Sequence, residues 1–269
     1  MLGLGQSNFG CMISDIQHPL LHQKIDQLSD GQAVVVGDFI DAVLAPIDSE
    51  PLPGTWLTST TDWAEAFLAR LRGHHGLSIE PLSTTQFEAA FNEACRTAGW
   101  QAEAASSATQ RFYDTTVTAD DGQPRKLSLK ASSAKDMRPA KVHISKLTEA
   151  AWIQDARRLS DRRDRIVELF AEYQQTTSAI VMLRGFRGRD DFEVLYELLE
   201  IPTTIFASVA RLTVQQAQSG TIKLPGGAAV PDFSVRIDRS DSKVTLTGIR
   251  LDCCLIHGRW GMNRAKAGA

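Results

Sequence analysis

Two residues of opposite charge stand on neighbouring segments near the middle of the chain. Asp114 lies in FYDTTVTA and Lys130 in KLSLKAS, with an Asp-Asp-Gly turn between the two segments. Both segments have the β-branched, alternating composition of strands, so the sequence predicts a hairpin. Ser128 and Lys130 alternate with leucines, and we expect their face of the strand to be polar. An acid and a lysine on paired strands can share a cation and a water, which predicts a metal-dependent phosphodiesterase site.

Other catalytic patterns are missing from the sequence. It has no glycine loop of the G-x-x-x-x-G-K or G-x-G-x-x-G type and no G-x-S-x-G elbow before a helix. His18 and His22 stand four residues apart without a third metal ligand, and His143 and His257 are isolated. We interpret these histidines as surface or core residues rather than catalytic bases.

Hydrolysis of a phosphodiester needs a nucleophilic water, stabilisation of the extra negative charge in the transition state, and help for the leaving oxygen. A hard cation such as Mg²⁺, held by carboxylate and carbonyl oxygens, supplies several of these. Asp114 is the predicted primary ligand, and the backbone carbonyl of Leu129 is expected to point into the same space. Lys130 would orient the attacking water and compensate the phosphate charge.

The residues Tyr113-Asp114-Thr115, followed by Ser128-Leu129-Lys130, resemble the PD-(D/E)-x-K signature of nucleases. Within that superfamily, residues 110–150 are similar to type II restriction endonucleases, particularly the MspI-like group, in which a Ser/Lys-rich recognition segment follows the lysine. The resemblance implies Mg²⁺-dependent, sequence-specific hydrolysis of double-stranded DNA. It also implies a homodimer or a pair of monomers that cut the two strands, and a companion DNA methyltransferase.

The sequence departs from the signature at two positions. Ser128 stands where the signature has an acid, and Tyr113 stands where it has proline. Superfamily members with a neutral residue at the first of these positions take a carboxylate from a helix instead. The candidates here are Glu88, on the predicted helix before the hairpin, and Glu149, after it. The resemblance favours Glu88, which would then join Asp114 and Leu129 as a metal ligand.

The segment after Lys130 is strongly basic. Asp136 is the one acidic residue between Arg125 and Lys146, although the whole chain carries a net charge of −3. A local cationic field suits a polyanion bound at one cleft, and a solvated basic loop is the alternative. The residues predicted to contact DNA are Ser132, Ser133, Lys135, Arg138 and Lys141. Of these, we expect Lys135 and Arg138 to read bases and Lys141 to bind phosphate.

Helices and further strands must position the hairpin. Residues 59–73 and 83–99 have the caps, apolar stripes and glycine stops of helices. Residues 144–176 are predicted as a long amphipathic helix, or as two helices broken near Ser160, and residues 190–199 as another helix. Residues 178–186 are predicted as a buried strand. Residues 233–258 are predicted as two or three antiparallel strands.

The N-terminal part has weaker patterns. Residues 18–32 predict a short helix that ends at Gly31, and residues 33–47 predict a strand passing into a short helix before Pro46. The segment SEPLPG, residues 49–54, predicts a linker.

These elements predict an α/β fold with a restriction-endonuclease-like core, in which a mixed central sheet is flanked by helices. Residues 1–56 form a predicted N-terminal extension and residues 57–269 the nuclease domain, with the catalytic core at about 84–200 and a C-terminal β-rich part at 220–269. No apolar run reaches membrane-spanning length and no signal-peptide pattern is present, so we expect a cytoplasmic protein without a membrane partner. The alternatives are a repair or junction nuclease with the same core, and a DNA-binding module that has lost its catalytic acid.

Overall fold

The computed structural model describes residues 23–44, 48–49, 53–105, 112–133, 137–189, 192–238 and 241–263. Within these residues, the helices that precede the hairpin are α1 (Asp30–Leu44), α2 (Thr61–His75) and α3 (Thr84–Thr97). A capping box begins α3, in which the Ser83 hydroxyl accepts from the Gln86 N–H and the Gln86 side chain accepts from the Ser83 N–H. The helices predicted at 59–73 and 83–99 are confirmed.

The predicted hairpin is also confirmed. β3 (Thr115–Thr118) pairs antiparallel with β4 (Pro124–Ser132), with Thr115 opposite Leu127. Asp114 directly precedes β3, and its backbone N–H donates to the Leu127 carbonyl at 2.8 Å. Because β4 continues beyond the start of β3, the last residues of β4 lie beside an open edge next to Asp114.

The hairpin belongs to a mixed sheet. In the described residues the sheet has seven strands, in the order β1 (Asp48–Ser49), β11 (Leu255–Met262), β7 (Phe192–Pro202), β6 (Ala179–Arg189), β4, β3 and β2 (Gln101–Ala104). β4 and β6 run parallel, and the other neighbours are antiparallel. Trp63 and Phe67 of α2 and Phe91 of α3 pack on one face of the sheet, against Val181 and Trp260. A mixed central sheet flanked by helices confirms the predicted fold class.

The other face of this sheet packs against a second sheet. Among the described residues it has four antiparallel strands, in the order β5 (Lys141–Glu149), β10 (Lys243–Arg250), β9 (Phe233–Asp238) and β8 (Thr221–Leu224). Helix α4 (Leu159–Thr176), a 3-10 stretch (Thr203–Arg211) and the short helix α5 (Val214–Ala217) complete this layer. The shared core includes Ile144, Phe170, Ile180 and Leu246. The strands predicted within residues 233–258 are confirmed.

The helix predicted over residues 144–176 is wrong in its first half. Residues 144–149 belong to β5, and helix begins only at Leu159, as α4. The buried residues Ile144 and Leu147 are three apart, a helical spacing, because the register between β5 and β10 shifts between Leu246 and Val244. A bulge in a strand thus imitates the period of a helix. The basic segment consequently leads into a strand rather than a helix.

The helix predicted over residues 190–199 is also wrong, because its described residues, 192–199, lie in β7. β7 is covered on both faces: Tyr196 and Leu198 join the core beneath α2 and α3, whereas Leu199 and Ile201 join the core shared with the second sheet. A strand buried on both faces has no apolar and polar alternation to reveal it. The buried strand predicted at 178–186 is confirmed as part of β6.

The secondary structure predicted for residues 18–47 differs from the structure that is observed. Residues 33–44, predicted to begin as a strand, are helical in α1, and Gly31 lies inside that helix rather than ending one. Of the helix predicted at 18–32, residues 18–22 lie outside the described residues; residues 23–25 are helical, residues 26–29 form a turn, and residues 30–32 already belong to α1. In the part of the chain that the structure describes, no helix is long and apolar enough to cross a membrane.

Candidate active site

The Asp114 carboxylate is held by the strand that carries Lys130. Its Oδ2 atom accepts from the Leu129 backbone N–H at 2.6 Å, from the Ser128 hydroxyl at 3.3 Å and from the Lys130 ammonium at 3.4 Å. The Asp114 and Lys130 side chains are 34% and 23% exposed. The structure therefore brings the two predicted residues together at an edge that a phosphate and a water can reach.

The face of β4 that carries Ser128 is not the polar face that we expected. Ser128 is 2% exposed. The β6 neighbours of Ser128 and Lys130 are Ile180 and Met182, which belong to the core shared with the second sheet. Both faces of the central sheet are covered. Lys130 nevertheless reaches solvent, since it lies near the end of its strand.

Tyr173 of α4 is a site residue that sequence reasoning missed. Its side chain is fully buried near Ser128 and Asp114, and its hydroxyl makes no hydrogen bond with the described residues. Burial raises the pKa of Tyr173 above its usual range, the Ser128 hydroxyl lowers it in part, and the negative charge of Asp114 raises it further. The phenol therefore stays protonated beneath the carboxylate. In the sequence Tyr173 continues the apolar stripe of Ile166 and Phe170, so it has the pattern of an ordinary core residue.

Glu88 of α3 belongs to the same electrostatic cluster. Burial raises the pKa of its carboxyl, the negative charge of Asp114 raises it further, and the positive charge of Lys130 lowers it. The pKa of Glu88 thus depends on the charges of both hairpin residues. A cation bound by both carboxylates would relieve the repulsion that Glu88 experiences from Asp114.

Glu149, the second candidate acid, lies in a different part of the molecule. It ends β5 in the second sheet, its side chain is 75% exposed, and it accepts from the Lys146 ammonium at 2.6 Å. The hydrogen bond from Lys146 lowers the pKa of Glu149. Of the two candidates, the structure brings Glu88 to the described Asp114 cluster.

The residues predicted to bind DNA lie on the loop between β4 and β5 and at its two ends. Ser132 is the last residue of β4, Ser133 follows it, and both are half-buried. Arg138 and Lys141 are exposed where the loop enters β5. Lys135 lies outside the described residues.

A buried arginine, which sequence reasoning also missed, holds this loop. Arg184 of β6 is 1% exposed and donates to the carbonyl oxygens of Arg138 at 2.8 Å and Pro139 at 3.1 Å. Glu197 of β7 accepts from Arg184 at 2.9 Å and from Arg259 at 2.9 Å. The signal for this network is a charged residue inside an otherwise apolar strand, because a buried charge must be paired.

A second buried polar cluster fastens residues 53–58 to the central sheet. His257 is fully buried; its Nδ1 lies 2.7 Å from the Thr55 hydroxyl and its Nε2 lies 3.2 Å from Glu200 Oε2. The Trp56 indole N–H donates to the same Glu200 oxygen at 2.7 Å. Burial alone would raise the pKa of Glu200, but the hydrogen bonds from His257 and Trp56 lower it. His257 is thus a paired core residue, as the sequence suggested.

The donors at the site fit one kind of metal ion. The described residues contain no group of three or more His, Cys, Asp or Glu side chains that could hold a metal. Asp114 and Glu88 offer two carboxylates, and the Leu129 N–H faces Asp114 at the open edge. The C=O of a strand residue lies on the same side as its N–H, so the Leu129 carbonyl faces that edge too. Mg²⁺ is commonly held by one or two carboxylates and several waters, which suits this set.

Comparison with known proteins gives two matches. Residues 52–262 match the family model for SmaI, described as a type II site-specific deoxyribonuclease. Over 211 residues the chain is 28% identical to the type II restriction enzyme SmaI of Serratia marcescens, which covers 74% of this chain and 79% of that enzyme. No solved structure matches the chain. Neither the assignment to the PD-(D/E)-x-K superfamily nor the likeness to its MspI-like group is confirmed by these matches.

Proposed function

Because the chain belongs to the SmaI family of type II site-specific deoxyribonucleases, we propose that it hydrolyses phosphodiesters of double-stranded DNA at a PD-(D/E)-x-K-type site. In this site Asp114 and Glu88 bind Mg²⁺, and Lys130 acts on the water and the phosphate. The family accounts for sequence-specific DNA cleavage by a restriction enzyme. The metal and the roles of these residues are our proposal.

The observation that carries the proposal is the one-sided bonding of the Asp114 carboxylate. The hydrogen bonds from Ser128, Leu129 and Lys130 all end on Oδ2. Among the described residues, Oδ1 is left to bind a cation, while Oδ2 fixes the orientation of the carboxylate. Such fixed orientation is what a catalytic ligand needs, because the site does not have to reorganise during the reaction.

Each residue then has a distinct task. A bound Mg²⁺ supplies positive charge beside the scissile phosphate and a more acidic water. Lys130, 3.4 Å from Asp114, keeps its ammonium at the open edge, where it orients the water and compensates phosphate charge. Glu88 supplies the second carboxylate, in place of the acid that Ser128 cannot provide.

The substrate and its partners follow from the same site. The exposed cations Arg138 and Lys141 lie on the loop that leaves the catalytic strand, where we propose that they contact the duplex close to the cut phosphate. Two such sites can cut the two strands together, so we also propose a homodimer or a pair of monomers on the DNA. A restriction enzyme also implies a methyltransferase that protects the host sequence, and we propose such a partner.

The test is a digest of plasmid DNA of known sequence, with Mg²⁺ and with a chelator. We expect discrete fragments with Mg²⁺ alone, and a loss of at least about 10²–10³-fold in rate for Asp114→Asn and for Lys130→Ala. The matched controls are Asp120→Asn, in the exposed turn of the same hairpin, and Lys126→Ala, on the same strand. Wild-type turnover by well-folded Asp114→Asn or Lys130→Ala protein would overturn the assignment. Cleavage without sequence preference would instead favour a repair nuclease.

A further inference from the structure

A cavity of about 490 Å³ lies between the two sheets, at the end of the catalytic strand. The central sheet and the second sheet both contribute to its walls. The residues that matter here are Ser132 of β4, Met182 of β6, Met137 of the loop, His143 of β5, and Thr247 and Gly248 of β10. Ser132 is two residues beyond Lys130, so the cavity adjoins the proposed site of cleavage.

A β-bulge shapes this cavity. β10 pairs with β5 through Leu246 opposite Ile144 and through Ile249 opposite Val142, so Thr247 and Gly248 together stand opposite His143. Gly248 has a φ of 64°, a conformation that favours glycine. A Cβ built on Gly248 would meet no atom within 4 Å, so this part of β10 borders open space. Bulges of this kind commonly re-aim side chains next to active sites.

The walls offer three kinds of chemistry. Met137, Met182 and Val142 provide apolar surface. Thr247 provides a hydroxyl, and His143, an exposed residue of β5, provides an imidazole whose pKa is lowered by partial desolvation. A neutral imidazole has one hydrogen-bond donor and one acceptor. The exposed cations Arg138 and Lys141 also line the cavity. A nucleotide has the complementary features: a base with two apolar faces and a hydrogen-bonding edge, and a phosphate anion.

We propose that this cavity is a nucleotide pocket, which receives one base extruded from the bound duplex and reads its edge with Thr247 and His143. The inference rests on the proposed DNA cleavage and adds a second contact to the same DNA. Base edges in a stacked duplex are read by side chains that project into a groove. This cavity is walled by strands of both sheets beside the catalytic strand, and a base would have to leave the stack to enter it and meet Thr247. Enzymes that take up extruded bases hold them between apolar side chains and hydrogen-bond their edges, as these walls would.

The first experiment uses fluorescent bases. The Asp114→Asn variant of the full chain, which binds without cutting, is mixed with the duplex found in the plasmid digest. In that duplex each base of the site in turn is replaced by 2-aminopurine or pyrrolocytosine. We expect fluorescence to rise on binding at one position of each half-site, because an extruded base loses its stacking. A specifically bound duplex in which no position brightens would overturn the pocket and leave the proposed cleavage intact.

The second experiment fills the pocket. Thr247→Phe should weaken binding to the intact site by tenfold or more, and a duplex with an abasic nucleotide at the extruded position should restore it. Thr221→Phe, on the edge strand β8 of the same sheet and outside the cavity, is the control. Equal weakening for both duplexes, or no weakening, would overturn the proposal.

Where Thr247→Phe does not fold by circular dichroism, Thr247→Val replaces it. This variant removes one hydrogen bond at nearly constant shape and should weaken binding to the intact site by about tenfold. Unchanged binding to the intact site by Thr247→Val would overturn the proposal. Failure of the wild-type enzyme to cut plasmid would overturn the proposed function itself, so the two failures are distinguishable.

Discussion

Ser128 stands where the nuclease signature has an acid, and its surroundings explain the neutral residue. It is 2% exposed, donates to Asp114 and lies near the buried Tyr173. A carboxylate at this position would be buried beside the Asp114 charge. Like charges in a buried site raise each other's pKa and cost stability. We infer that Tyr173 and Ser128 together orient Asp114, and that the second acid comes from Glu88.

This arrangement predicts that restoring the signature acid damages the enzyme. Ser128→Asp should lower the free energy of unfolding by about 2–4 kcal/mol, because it buries an unpaired charge, and should not raise cleavage at any Mg²⁺ concentration. Urea unfolding and a Mg²⁺ titration of plasmid cleavage measure the two effects. Ser128→Ala, the matched control, should cost only about 1 kcal/mol. Faster cleavage by Ser128→Asp would mean that the site has room for a third carboxylate.

The raised pKa of Glu88 predicts opposite effects of one substitution on stability and on activity. A carboxyl whose pKa is higher in the folded state than in the unfolded state loses stability as pH rises from the unfolded pKa, near 4.5, through the folded one. Above that window the ionised carboxylate opposes folding. Glu88→Gln should therefore raise the melting temperature at pH 7–8 without metal, leave it unchanged below pH 4, and abolish most cleavage.

Glu93→Gln is the control for this prediction. Glu93 lies on the same helix but is exposed and pairs with Arg70 and Arg96, so its removal should not raise the melting temperature. Scanning the melting temperature of each variant from pH 3 to 8 gives the comparison. Full cleavage activity of Glu88→Gln would show that Glu88 is not a metal ligand. A loss of cleavage in Glu149→Gln would then indicate that Glu149 is the second acid.

The predicted and the missed residues of the site differ in a physical way. Asp114 and Lys130 were predicted because an acid and a lysine on paired strands suit metal-dependent phosphodiester chemistry, and Glu88 because the resemblance to the nuclease signature implies a carboxylate from a helix. Tyr173 could not, because a phenol in an apolar stripe has the pattern of packing. Arg184 acts through contacts with backbone carbonyls that no side-chain pattern records.

At the scale of elements, the loop between β4 and β5 depends on Arg184. Arg184→Met should cost about 3–5 kcal/mol of unfolding free energy, because Glu197 stays buried with only Arg259 as its partner. The double variant Arg184→Met/Glu197→Met should regain much of that stability without regaining the bonds to the Arg138 and Pro139 carbonyls. We therefore expect it to fold and yet to discriminate less between the cognate site and sites with one changed base pair.

The measurements are urea unfolding and the ratio of cleavage rates at cognate and altered sites. Arg187→Met is the matched control, since its exposed ion pair with Glu80 is worth at most about 1 kcal/mol. A double variant that discriminates as well as wild type would show that the loop keeps its shape without Arg184.

The type of a secondary-structure element was predictable where its residue types alternate between apolar and polar positions with a regular period. α2 and α3 each have an apolar face and a polar one, so their period is visible in the sequence. β4 is covered on both faces, but Ser128 and Lys130 still alternate with leucines in its sequence. β7 is covered on both faces, and β5 contains a register shift, so neither shows a strand period. Both errors arise from the second sheet, because its packing covers the central sheet and sets the register of β5.

In the whole molecule, the proposed active site lies near the end of β4 of the central sheet, next to the second sheet. The central sheet supplies Asp114 and Lys130, α3 supplies Glu88, and the second sheet faces the loop that follows the catalytic strand. DNA bound at Lys130, as proposed, would therefore adjoin both sheets. This explains why the matched family span runs from residue 52 to residue 262 rather than covering the hairpin alone.

The same view predicts where the chain can be shortened. Thr55 and Trp56, which the sequence assigned to an N-terminal extension, hydrogen-bond to His257 and Glu200 of the central sheet. Deletion of residues 1–47 should leave these bonds in place and keep cleavage. Deletion of residues 1–58 should remove them and leave the His257 and Glu200 side chains buried without those partners. The cost of unsatisfied buried groups is about 1–3 kcal/mol each, enough to unfold a protein of ordinary stability.

Trp56→Phe distinguishes the effect of losing the hydrogen bond to Glu200 from the effect of deleting the N-terminal residues. It keeps an aromatic ring near Trp100 but removes the indole N–H that donates to Glu200, and should cost about 1–3 kcal/mol in urea unfolding. The expected order of stability is therefore wild type, the 1–47 deletion, Trp56→Phe, and last the 1–58 deletion, with plasmid cleavage kept by the first three at low temperature. If the 1–47 deletion folds but does not cut, the N-terminal residues belong to the DNA-binding or dimer surface, and the nuclease domain begins before β1.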